Sequence, residues 1–172
     1  MNQIVFYLRL TILLSLLGAP AWAQAQENRV ANPQAPRLAG QTFEGKPFDL
    51  ASLRGKVVLV VFWSTGCAVC RDKMGELRAN YEGWRGQPFE MVLVSQDRRF
   101  QDVQAYEQIL AQTVPRAQRF PQLWSGQPTY MDSFGVKPML PATFLINKRG
   151  QVEKSYIGRI PPQAWDDIAE LL

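Results

Sequence analysis

The stretch Val57-Val58-Leu59-Val60-Val61-Phe62-Trp63-Ser64-Thr65-Gly66-Cys67-Ala68-Val69-Cys70 decides the fold. Its first seven residues are apolar, mostly β-branched or aromatic, with no polar alternation. The run is too short to cross a membrane, so it predicts a strand buried on both faces, at the centre of a sheet. After Gly66 the period changes: Cys70, Met74, Leu77, Tyr81 and Trp84 recur at spacings of four, three, four and three. That is one face of a helix, and the helix begins beside Cys67.

Working outward, Glu90 to Gln96 reads as a second strand and about Gln101 to Gln112 as a second helix. Strand, helix, strand, helix in that order predicts parallel pairing with right-handed crossovers. Ala142 to Asn147 and Gln151 to Tyr156 flank Lys148-Arg149-Gly150, whose length and glycine fit an antiparallel hairpin. Pro161-Pro162 opens a last helix, with Trp165, Ile168, Ala169 and Leu172 expected on one face. Near the other end, Phe43 and Phe48 flank Glu44-Gly45-Lys46-Pro47, which suggests a small hairpin before the main sheet. The sum is an α/β domain, a mixed sheet flanked by helices, with no internal repeat. A chain of 172 residues suits one such domain plus extensions.

Residues 1–23 carry Arg9 as their only charged side chain, an apolar run from Leu10 to Leu17, and the small-residue ending Ala21-Trp22-Ala23. They read as a signal peptide, cut after Ala23 or, at Ala23-Gln24-Ala25, after Ala25. An uncleaved anchor is the alternative, because Ile4 to Phe6 extend the apolar stretch past Arg9. Either way the domain is expected outside the cytoplasm. Residues 24–36 hold Gln, Asn and Pro with little to bury, so they form a flexible leader, and the domain spans 37–172.

The net charge is +4, or +3 once Arg9 is removed with the signal. The bases are scattered, as at Arg98-Arg99, Arg116 and Arg119, rather than gathered among aromatics. A nucleic-acid surface is therefore not expected.

Cys67 and Cys70 are the only cysteines, and His is absent. A structural zinc site needs four ligands, usually Cys or His, and c-type haem attachment needs His directly after the second cysteine, where Arg71 stands. No metal or cofactor is expected. A purely structural disulfide remains open, although so short a loop removes little unfolded-state entropy. The redox reading rests on position. At a helix N-terminus, unpaired N–H groups and the macrodipole favour the thiolate of Cys67. A fall in pKa from about 8.5 to about 7 raises the thiolate fraction at neutral pH from about 3 per cent to about half. Cys70 falls in the apolar stripe and should be the more buried sulfur. Cys67 is then the attacking thiol and Cys70 the resolving thiol.

Phe62 to Cys70 resembles the active-site segment of thioredoxin-fold proteins, especially the exported TlpA/ResA-like branch. The likeness extends to Leu53-Arg54-Gly55-Lys56, Leu140-Pro141-Ala142-Thr143-Phe144 and Asn147 to Gly150, and covers about residues 37–172. It implies a thioredoxin fold with an N-terminal hairpin and an insertion before a cis-proline at Pro141. It also implies that Leu140 presents backbone to an extended client, and that Trp63 packs near the sulfurs at the client site. The activity implied is thiol:disulfide exchange on exported proteins, including the cysteines of apocytochromes before haem attachment. The electrons would come from a membrane-embedded thiol reductase, and the protein is expected to be a monomer.

Two positions depart from the family pattern. The buried acid of cytosolic thioredoxins would fall at Val61, and the Glu that many TlpA/ResA-like proteins carry three residues after the second cysteine is Lys73. Asp72 is no substitute, being rotated about 200° from Cys70, whereas Lys73 returns to within about 60°. Lys73 is read as an exposed lysine without a role, against the alternative that its charge stabilises a thiolate. Ala68-Val69 lacks a His that could hold a thiolate in a strongly oxidising enzyme, which points to a reducing or intermediate potential. In the surplus from Pro115 to Pro128, Phe120, Leu123 and Trp124 are read as a patch covering the sheet edge, with a client groove as the alternative. Two other functional classes stay open: a binding or chaperone module that seldom turns over, and a thiol peroxidase, which would want a proline near Val60.

Overall fold

The structure, a computed structural model, describes residues 35–172. The expected signal at 1–23, and all but the end of the 24–36 leader, lie outside the described residues. β1 (Leu38–Gln41) and β2 (Pro47–Asp49) form the small hairpin, closed by a turn in which Gly45 takes a φ of 74°. Then follow β3 (Val57–Trp63), α1 (Ala68–Gly83), β4 (Phe89–Ser95), α2 (Phe100–Thr113), β5 (Gln122–Trp124), β6 (Met131–Asp132), β7 (Ala142–Ile146), β8 (Val152–Ile157) and α3 (Gln163–Leu171).

The main sheet runs β5-β4-β3-β7-β8, and a second sheet runs β2-β1-β6. β3, β4 and β5 are parallel, while β7 pairs antiparallel with both β3 and β8. All seven residues of β3 are buried, which is why the run shows no polar alternation. Successive side chains face opposite sides of a strand. Val57, Leu59, Val61 and Trp63 accordingly join Cys70, Met74 and Leu77 of α1, Val103 of α2, and Ala164 and Ile168 of α3. Val58, Val60 and Phe62 join Leu38, Leu50 and Leu123 in a second cluster, with Phe134 and Phe144 against it. Each fully buried Val, Leu, Ile, Phe or Met among them contributes about 1.5–3 kcal/mol relative to leaving it exposed.

Two expectations are corrected. Ala169 is exposed, and Ala164, one turn before Ile168, takes the inner face of α3. The surplus from Pro115 to Pro128 does not lie over the sheet edge as a patch. Its residues 122–124 are the edge, a fifth strand in register with Leu93 to Ser95. Phe120 is 5% exposed and Leu123 fully buried, so both belong to the core.

The segment after β6 is tied down by Asp132, whose carboxylate accepts from Tyr130 OH (2.7 Å), Phe134 N–H (3.0 Å) and Lys137 Nζ (2.7 Å). Lys137 Nζ in turn lies 4.2 Å from the centre of the Phe62 ring. Burial alone would raise the Asp132 carboxyl, but the Lys137, Tyr130 and Phe134 donors outweigh it and hold it below 3.8. A carboxyl lowered by folding stabilises at neutral pH and loses that contribution as pH falls through its folded value. Asp132→Asn is therefore expected to lower stability at pH 7 by about 1–3 kcal/mol. Urea melts should show the gap from wild type narrowing as the pH drops below about 3.8, and a gap independent of pH would sink this assignment.

Candidate active site

The site lies where β3 hands over to α1. Cys67 is the N-cap residue of α1 and is half-buried, and its Sγ accepts from Cys70 N–H at 3.1 Å. Cys70 is only 2% exposed and belongs to the core face of the helix. The two sulfurs form a disulfide, with Cα atoms 5.2 Å apart. One sulfur is thus within reach of a client, and the other is shielded by the domain's own packing.

The turn that delivers Cys67 is held from β4. Asp97 accepts from Thr65 N–H (3.1 Å), Thr65 Oγ1 (2.6 Å) and Ser95 Oγ (2.8 Å). Arg71 donates to the Thr65 carbonyl from the other side. The Asp97 carbonyl accepts from Trp124 Nε1 at 2.7 Å, so β5 braces the same turn. Nothing local in the sequence marks Asp97, because its partner lies 32 residues earlier.

Across the disulfide runs the loop into β7. The Leu140–Pro141 peptide bond is cis, as the resemblance implies. The Pro141 carbonyl accepts from Gly158 N–H at 2.8 Å, and Gly158 has a φ of 83°, a conformation open to glycine. Leu140 is partly exposed and Pro141 buried. Trp63 is fully buried with its ring 5.2 Å from Tyr106, so its side chain cannot touch a client. It instead packs in the same cluster as Cys70.

Below Cys70 is a hollow of about 10 Å³ lined by Val61, Trp63, Cys70, Lys73, Met74, Leu77, Pro141, Thr143 and Ile160. That is near the smallest volume that admits one water. Lys73 belongs to this hollow, and its side chain is only 12% exposed, which overturns the exposed reading. Its Nζ bonds Glu76 Oε2 at 2.5 Å, and Glu76 Oε1 accepts from Trp165 Nε1 at 2.7 Å. The Lys73 bond, working against burial and helped by Trp165, holds the Glu76 carboxyl below its usual range. Asp72 points elsewhere and pairs with Arg159 at 2.5 Å, both side chains being exposed. Among the described residues, no group of three or more His, Cys, Asp or Glu is placed to hold a metal ion.

A half-buried sulfur at a helix N-terminus, a buried sulfur one turn on and a cis-proline opposite suit thiol–disulfide exchange. Residues 31–155 match the AhpC/TSA family. The chain belongs to that family. Within it the chain is TlpA/ResA-like and a thiol:disulfide oxidoreductase, as its curated relatives indicate. It is 27% identical to the thiol-disulfide oxidoreductase ResA of Halalkalibacterium halodurans, over 97% of this chain and 94% of that protein. It is 30% identical to ResA of Geobacillus thermodenitrificans, over 87% of this chain and 83% of that one. The fold matches that of a thioredoxin-family thiol:disulfide interchange protein from Chlorobium tepidum TLS. That TM-score is 0.61 at 22% identity, covering 79% of this chain and 92% of the other. This AhpC/TSA member is therefore thioredoxin-like in fold. Among its described residues, no helix is long and apolar enough to cross a membrane.

Proposed function

We propose that the protein works outside the cytoplasm as a reductase of disulfides in exported proteins, with Cys67 attacking the client and Cys70 resolving the mixed disulfide. The observation that carries this reading is the inequality of the two sulfurs, one half-buried at the N-cap and one 2% exposed. A client sulfur can reach Cys67 but not Cys70, and a thiolate at Cys67 is favoured by the helix terminus. Leu140 offers its backbone to an extended client segment, and Pro141 closes the floor between that segment and Cys70. Residues 1–23 direct export to the periplasm or its equivalent, as a cleaved signal or an anchor. A membrane-embedded thiol reductase restores the dithiol. The clients include apocytochrome cysteines, a narrower assignment that follows the TlpA/ResA-like resemblance. The protein acts as a monomer.

The reading is tested by the reduction potential of the Cys67–Cys70 pair, measured by thiol trapping across dithiothreitol and glutathione buffers, alongside insulin reduction. A potential near or below about −250 mV, towards that of thioredoxin, is expected together with insulin turnover. A value near about −120 mV overturns the reducing direction. A pair that resists reduction throughout leaves a structural disulfide on a binding module.

A further inference from the structure

The hollow beneath Cys70 is apolar except for Lys73, Thr143 and the sulfur itself. Burial in such surroundings disfavours a thiolate, yet a resolving thiol attacks only as the thiolate. Lys73 is the ionisable residue that this side of the helix contributes to the lining of the hollow, three residues after Cys70 and with its side chain 12% exposed. We propose that Lys73, clamped by Glu76, stabilises the Cys70 thiolate and so makes Cys70 competent to resolve the mixed disulfide at neutral pH. Lys73 acts through Cys70 and is a positioning residue. The inference rests on the assignment of Cys70 as the resolving thiol.

The Cys70 thiol gives its proton to solvent, with the Lys73 ammonium favouring the resulting anion. The thiolate attacks Cys67 Sγ, forming the Cys67–Cys70 bond and breaking the bond between Cys67 and the client. The client leaves as a thiolate, which takes a proton from solvent, and two electrons have passed from enzyme to client. While the pair is oxidised, Glu76 compensates Lys73, and Trp165 holds Glu76 in place. Once the pair is reduced, the Cys70 thiolate competes with Glu76 for the same cation.

The other charged groups around the active site are Arg71, next to Cys70 but turned to the Thr65 carbonyl, Asp97, which holds that same turn, and Arg159. Arg159, between β8 and α3, acts on Glu76 and is itself paired with Asp72. β3 and β7 bring Val61, Trp63 and Thr143 to the hollow, none of them charged. Lys73 is thus the charged residue lining the hollow, and Glu76, bonded to it, opposes its effect on Cys70.

The test uses the full chain carrying Cys67→Ser, in which Cys70 is the sole cysteine, and reads the midpoint of thiolate absorbance near 240 nm against pH. Lys73→Met is expected to raise that midpoint by about one pH unit, roughly a tenfold loss of thiolate at pH 7. Lys73→Arg should restore it. Glu76→Gln should lower it, because the cation loses its competing anion. A loss of packing alone would not move the two neutralising variants in opposite directions. A Lys73→Met midpoint within about 0.3 units of the parent, or shifts of the same sign in both variants, overturns the proposal. Should Lys73→Met fail to fold, Glu76→Gln decides: a lowered midpoint supports the proposal, and an unchanged or raised one overturns it. Insulin turnover by the unaltered protein is scored separately, so failure of the reductase reading is seen apart from failure at Lys73.

Discussion

Cys67→Ser is expected to lower insulin reduction by at least about a thousandfold, because the variant lacks the more accessible of the protein's two thiols, Cys70 being 2% exposed. Cys70→Ser should also fail to turn over, but in a different way. Its Cys67 still attacks, and with no resolving sulfur beside it the enzyme stays covalently joined to the client. Non-reducing gels of the two variants, each reduced and then offered an oxidised client, separate these outcomes. Cys70→Ser should give a dithiothreitol-sensitive adduct of one enzyme with one client, and Cys67→Ser should give none. The expectation comes from exposure and helix position together. Cys67 is partly accessible at the N-cap of α1, whereas Cys70 is 2% exposed and packed among Met74, Leu77 and Trp63. Adducts on Cys67→Ser would reverse the roles, and turnover by Cys67→Ser would remove the CxxC pair from the chemistry.

The centre of the fold was legible because burial on both faces leaves a plain signature. β3 has no polar residue to spare, and α1 repeats its apolar stripe over four turns. The hairpin at Asn147 to Gln151 was legible for a local reason as well. Gly150 takes a φ of 79° there, and Asn147 Oδ1 accepts from the N–H groups of Arg149 and Gln151. β5 and β6 were not, since strands of three and two residues are defined by the partner they lie against rather than by any period of their own. The face of α3 was drawn through Ala169 rather than Ala164 because alanine weighs little in either direction.

Lys73 shows where residue type misleads. The helical angle already placed it within about 60° of Cys70. Charge alone suggested solvent, but a lysine can lay its aliphatic stem along apolar surface while its ammonium finds a partner. Here that partner is Glu76, one turn further on, and the pair is closed by Trp165 from α3. Asp97 was invisible for a different reason: it serves a turn on another element, and only the parallel register of β3 and β4 brings Trp63 and Ser95 level so that Asp97 can reach Thr65.

Leu123→Ala is expected to destabilise the domain by about 2–5 kcal/mol, since it deletes a fully buried side chain and leaves a cavity that rigid neighbours fill only in part. Leu123 is 0% exposed, pairs from β5 with Val94 of β4 and packs in the cluster of Val58, Val60 and Phe62. A Cβ built on Gly40 would come within 3.2 Å of its Cδ2, so the small sheet presses on the same side chain. The effect on chemistry should be indirect. Trp124, the next residue, bonds the Asp97 carbonyl, and Asp97 holds the turn before Cys67. Loss of β5 would loosen that turn only as far as the strand itself opens. Urea unfolding should therefore show the full cost, while insulin KM, measured on folded protein well below the transition, stays near wild type. A Leu123→Ala variant of unchanged stability and raised KM would place the 115–128 segment at the client surface and take β5 out of the sheet's structural core.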